Sequence, residues 1–226
     1  MSPLKTLTFG LLALVAIPSG LQARNIQWGG SIGSSNLDSS GSPLTASYSF
    51  QLGTFGSSFT PNAANASSWS SNWVPFDTAD YNPAAAYFTG SADLEQSSGS
   101  GLAVSSSTGL AFAPGDQAYI WVYNNQSLSD LTEWSLLTND GSDGDANDDW
   151  LMPEPASHSL PLQWRVSGAS DSILGGANGE SSEDGFRTST TTDFDLQTHK
   201  LVVPEPSSAL LFLFGSMLFA FRRQRS

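Results

Sequence analysis

Along the chain the clearest pattern is alternation. From Leu44 to Leu52, the apolar residues Leu44, Ala46, Tyr48, Phe50 and Leu52 take turns with Thr45, Ser47, Ser49 and Gln51. That is the period of a strand with one face buried and one wet. Gln117 to Tyr123 reads differently. Tyr119, Trp121 and Tyr123 fall on one face and Ala118, Ile120 and Val122 on the other, so a central strand covered on both sides is expected. Pro114-Gly115 just before it suits the middle of a type II turn. Ala85 to Leu94, Gly101 to Ser105, Glu133 to Thr138, Leu162 to Val166 and His199 to Val203 are further expected strands. One short helix is expected after Thr60, with Pro61 at its first position and Trp69 and Trp73 four apart on one face.

Between these segments the chain is polar and small. Gly29 to Pro43, Gln96 to Thr108 and Gly168 to Thr192 are rich in Gly, Ser and Thr, the composition of loops. The first run reads as part of a linker over residues 24–43. Short strands joined by such loops point to an all-β fold, a single jelly-roll-like β-sandwich over residues 44–203 with one short helix.

The two ends break this pattern. Lys5, the apolar run Leu7 to Ile17, the Pro18-Ser19-Gly20 break and Leu21-Gln22-Ala23 have the layout of a secretory signal peptide, residues 1–23, with cleavage expected after Ala23. At the other end, Pro204-Glu205-Pro206 precedes an uncharged lipophilic stretch, Ser207 to Phe221, and then Arg222, Arg223 and Arg225. The stretch has 15 residues, against roughly 20 for a helix that crosses the hydrocarbon core. Snorkelling arginines or local bilayer thinning would cover the difference. The positive-inside rule keeps those arginines cytoplasmic. Pro153-Glu154-Pro155 repeats the tripeptide with no apolar run behind it, so the three-part order carries the signal and the tripeptide alone does not.

This arrangement over residues 204–226 resembles the PEP-CTERM sorting signal of Gram-negative bacteria. The resemblance implies export through the inner membrane, transient tethering there by the apolar tail, and processing near Pro204-Glu205-Pro206 by an exosortase-type membrane transpeptidase. It further implies a destination in the cell envelope, at the cell surface or in the extracellular matrix, in company with exopolysaccharide or biofilm. Ser/Thr-rich loops suit glycosylation in that setting, and equally suit plain loop composition.

Composition narrows the function of the exported part. Over residues 24–206 the basic residues are Arg24, Arg165, Arg187 and Lys200, set against all 21 acids. Nucleic acid is therefore not an expected partner. No cysteine is present, which excludes disulfides, thiol catalysis and thiolate metal sites. Gly29-Gly30-Ser31-Ile32-Gly33 matches the G-x-S-x-G pattern of serine hydrolases but lies in a Gly/Ser-rich run without the strand-to-helix turn that such a serine needs. The two histidines, His158 and His199, sit in no motif and read as solvated surface groups. Asp77 and Asp80 would serve a glycosidase only at a separation that sequence does not give. A non-enzyme is the expectation.

Two features remain. In the acidic run Asn139 to Asp149, Asp140, Asp143, Asp145, Asn147 and Asp149 offer the oxygen ligands that calcium takes. An EF-hand match fails, because Asp148 stands where the turn glycine belongs and prolines flank Glu154. The other reading is a solvated hairpin tip. The seven tryptophans either pack the core or present flat faces to sugars. Two functions follow: a non-catalytic envelope or matrix component, or a lectin-like module binding exopolysaccharide or other matrix glycans, with or without calcium.

Overall fold

A computed structural model describes residues 24–96, 103–105, 107–129, 131–141, 144, 148–153, 161–181 and 193–201. The strands of its first half are β1 (Arg24–Gly29), β2 (Asn36–Leu37), β3 (Ser49–Thr54), β4 (Val74–Asn82), β5 (Tyr87–Gln96), β6 (Ala103–Ser105) and β7 (Ala111–Phe112). Those of the second are β8 (Ala118–Tyr123), β9 (Glu133–Thr138), β10 (Leu162–Arg165), β11 (Asp171–Leu174), β12 (Gly176–Ala177), β13 (Glu180–Ser181), β14 (Leu196–Gln197) and β15 (His199–Lys200). A 3-10 turn, Ala63–Ser68, leads into the short helix α1 (Trp69–Asn72), and Val166–Gly168 forms a second 3-10 turn.

Eleven strands make one large, mainly antiparallel sheet in the order β10-β1-β5-β4-β3-β8-β9-β11, with β6 and β7 beyond β5 and β15 on β9. β4 and β5 pair only at Tyr81–Phe88 and Asn82–Tyr87, so the sheet divides into two limbs at that hairpin. The limbs face each other. Phe50 of β3 meets Phe88 of β5 with ring centroids 4.1 Å apart, and Trp164 of β10 stacks on Trp150, whose carbonyl is bonded by Ala118 of β8, at 6.3 Å. The result is a sandwich-like all-β body. A smaller sheet, β13-β12-β14-β2, adds Ala177 and Leu196 to the same core.

The two-sided pattern of Gln117 to Tyr123 is realised in β8. Ala118, Ile120 and Val122 enter the core between the limbs, whereas Tyr119, Trp121 and Tyr123 join a second cluster on the outer face with Phe55, Trp69, Trp73 and Trp134. Trp121 is its hub, with Trp134, Trp73 and Trp69 edge-on at 4.9, 5.4 and 6.1 Å. The segment from Phe55 to Trp73, α1 included, contributes much of that cluster, so an apolar outer face is kept from water. Ahead of β8, Asp116 N–H bonds the Ala113 carbonyl and Gly115 has φ +85°, the expected type II turn.

Four expectations need correction. The stretch 24–43 is no linker: β1 lies between β5 and β10, with Ile26 and Trp28 buried. Asn25 and Gln27 alternate with them, but so short a pattern ran straight into Gly29-Gly30 and was hidden by it. The run Gly168 to Thr192 is not wholly loop, since it holds β11, β12 and β13. The helical segment starts later than Thr60, at a reciprocal cap between Asn62 and Asn65, whose side chain also bonds the Thr60 carbonyl. The strand expected from Leu44 is shifted to β3, because residues 45–48 turn, although Leu44 is still buried.

Candidate functional site

Among the described residues, no aromatic cluster forms on the outer face of the other limb. The pairings set polar side chains in rows: Gln163, Gln27 and Ser91 in one, Arg165, Gly29 and Thr89 in the next. Gly29 leaves the middle of its row bare. A side chain could not stand there, since its φ is +148° and a Cβ would strike the Phe88 carbonyl. Around this gap lies a depression of about 410 Å³, walled by Gln27, Thr89, Ser91, Tyr87 and Arg165 and floored by the Gly29-Gly30 backbone. Among the described residues no Asp or Glu lines it. Gln27, Thr89, Ser91 and Arg165 are exposed, and Tyr87 is half-buried.

Behind the floor sits a buried polar pair. A β-bulge between Leu52–Asp77 and Gly53–Pro75 turns both Phe76 and Asp77 inward. Asp77 then accepts a 2.7 Å hydrogen bond from the Trp28 Nε1–H. Gly90, opposite Trp28 on β5, makes room, for a Cβ there would collide with the indole. The chain turns into β5 through Ala86, a non-glycine residue at φ +45°, immediately before Tyr87.

A second polar centre lies at Glu133. Its carboxylate accepts from Tyr48 Oη at 2.9 Å, Thr198 Oγ1 at 2.8 Å, Ser39 Oγ at 2.8 Å and Ser39 N–H at 3.1 Å. It ties the loop after β2 to β9 and the β14–β15 connection, which suits a structural role. Burial pushes the Tyr48 hydroxyl well above its ordinary range, and the neighbouring Glu133 adds to the shift. His199, expected at the surface, is instead 5 % exposed and pairs with Trp134 across β9. Burial lowers its pKa to about 4, against the opposing pull of Glu133, so the ring is neutral at pH 7.

Of the expected calcium ligands, Asp143, Asp145 and Asn147 lie outside the described residues. Asp140 is exposed, and Asp149 is half-buried with its carboxylate against Gly141. Buried Asn139 anchors the run, accepting from Ser170 Oγ at 2.7 Å and donating to the Asp148 carbonyl at 3.3 Å. Among the described residues no three acidic or imidazole groups converge on a metal position. Ser31 of the G-x-S-x-G pattern is exposed in a turn after β1, with β2 the next element. His158, Ala23, the Pro204-Glu205-Pro206 motif and Arg222, Arg223 and Arg225 lie outside the described residues. No helix among the described residues is long and apolar enough to cross a membrane.

All seven tryptophans are buried, none more than 8 % exposed, so none offers a flat face to a sugar. Two ring-bearing residues line the depression, the buried Trp28 and the half-buried Tyr87. Sequence reasoning missed this site. The available signals were the polar positions alternating with Ile26 and Trp28, and Arg165 as a rare cation. No protein-family model, curated protein or solved structure matches the chain.

Proposed function

We propose that this chain is an exported, non-catalytic component of the cell envelope or extracellular matrix. It is released from its signal peptide at Ala23 and processed by an exosortase-type transpeptidase at Pro204-Glu205-Pro206. The observation that carries this reading is the pair of terminal sequence signals: Lys5 with the apolar run Leu7 to Ile17 at one end, and the order Pro204-Glu205-Pro206, the uncharged stretch Ser207 to Phe221, and Arg222, Arg223 and Arg225 at the other. The jelly-roll-like reading of the connectivity belongs to the same proposal, supported by the chain's passage between limbs from β1 to β3, β7 to β8 and β9 to β10.

The intact mass of the protein from its native host tests it, in cell-bound and shed fractions. A product running from Arg24 to between residues 203 and 206 is expected, with or without added sugar. A product running from Arg24 to Ser226 would sink the processing claim.

A second reading, carbohydrate binding, is favoured by the depression over Gly29. Its walls are hydroxyl, amide and guanidinium groups beside the half-buried Tyr87 ring, the mixture that engages a polyol. Retention on matrix glycan that depends on calcium would bring Asp140, Asp149 and their neighbours into this reading. Retention indifferent to chelator would leave the acidic run as a solvated tip.

A further inference from the structure

The charge around the depression runs against the rest of the molecule. The chain carries 21 acids and a formal net charge of −13, yet among the described residues no carboxylate lines this site and one guanidinium does. Among the described residues, the contact recorded for the Arg165 guanidinium is with the Gln163 amide oxygen at 3.5 Å, too long to satisfy it. The Gln27 amide and the Tyr87 hydroxyl likewise have no hydrogen-bond partner among the described residues. Unusual backbone converges here too, from Gly29 at a φ that only glycine takes freely and from Ala86, a non-glycine residue in left-handed backbone beside Tyr87. Such outliers gather where a ligand or another backbone must approach closely.

We infer that the depression takes a saccharide unit bearing a carboxylate, a sugar of the uronic acid class, with Arg165 on the carboxylate. This rests on the carbohydrate reading above. The planar guanidinium matches a carboxylate in a way that ordinary sugar hydroxyls do not. Gln27, Ser91 and Thr89, in adjacent rows, offer both donors and acceptors to ring hydroxyls. About 410 Å³ lies within the size range of small-ligand sites, roughly 300–1,000 Å³. The surrounding negative charge repels a dense polyanion wherever its charges come within the screening length of about 8 Å. Acidic units spaced along an otherwise neutral polysaccharide are therefore the favoured ligand.

Calorimetric titration of the full-length protein decides the matter. The probes are a tetrasaccharide alternating glucose and glucuronate, the same molecule with its carboxyls reduced to alcohols, sodium acetate and inorganic phosphate. The acidic tetrasaccharide is expected to bind about tenfold tighter than the reduced one or better, and Arg165→Gln to erase that difference. Arg165 is exposed, so the variant keeps the parent melting temperature, which excludes misfolding as the cause. Equal binding of both sugars, each weakened by Gln27→Ala, would overturn the uronate assignment and leave the carbohydrate reading standing. Binding of neither sugar would remove both. Acetate or phosphate competing at the concentration of the tetrasaccharide would mark a bare anion site and overturn the proposal.

Discussion

The two limbs of the sandwich share a core but treat their outer faces in opposite ways. β8 and β9 turn Tyr119, Trp121, Trp134 and Leu136 outward, and the segment Phe55 to Trp73 packs over them. β10, β1 and β5 turn Gln163, Arg165, Asn25, Gln27, Thr89 and Ser91 outward. An apolar outer face leaves the chain no choice but to cover it, whereas a polar one is free to meet solvent or a ligand. Aromatic content alone therefore misleads as a guide to binding. The residues richest in ring surface hold the fold together, and the open face is built from small and polar ones.

Substitution at the hub of the covered face should separate the two limbs most sharply. Trp121→Ala is expected to cost about 3–5 kcal/mol by denaturant unfolding, from lost burial and a cavity among four rings. Gln27→Ala on the open face should stay within about 0.5 kcal/mol. Comparable losses at both would mean that the open face is structural after all.

Next comes the pair beneath the open face. Asp77→Ala strands the buried Trp28 Nε1–H and should cost about 2–3 kcal/mol. Adding Trp28→Phe should cost less than its single effect implies, a coupling that a double-mutant cycle reads directly.

The third test uses pH. His199 has a folded pKa of about 4, below its ordinary value of about 6.5. Above pH 6.5 both states are neutral and no stability is lost through this group. As pH falls from 6.5 toward 4, only the unfolded chain takes the proton, so stability declines, and below 4 the loss levels off. The loss is on the order of 2 kcal/mol after allowance for solvent screening. Unfolding of His199→Gln across that window should lose this part of the slope.

The smallest effect is at the rim of the site. Ala86 sits in left-handed backbone that glycine occupies without steric cost. Ala86→Gly should raise stability by up to about 1 kcal/mol, the relief of strain outweighing the looser unfolded chain. A fall in stability would show that the turn is held by more than backbone geometry.

Much of the covered face was legible in the sequence. Tyr119, Trp121 and Tyr123 alternate with Ala118, Ile120 and Val122, and such a pattern has one physical solution. The strand Glu133 to Thr138 was legible too, and the one expected over Leu162 to Val166 on the other limb is realised as Leu162–Arg165. The open face was not, because its site exists only once β10 lies parallel to β1 and sets Arg165 beside Gly29. No local period encodes that pairing. β4 escaped for a different reason. Its Phe76, Ala79 and Tyr81 are apolar and inward, but the bulge breaks the period, and Asp77, Asp80 and Asn82 are poor strand formers. His199 was misread because its burial depends on pairing with Trp134 from a distant segment.

The place of β1 also sets the order of assembly. The first strand of the domain is hydrogen-bonded to Leu162–Arg165, and Asn36–Leu37 to Leu196–Gln197. A chain that emerges from its N-terminus cannot complete either pairing until nearly the whole sequence has followed. Contacts of such long sequence separation make folding slow. Under the proposed export route, the polypeptide would stay threadable during its passage, because the fold closes only when its last strands are available.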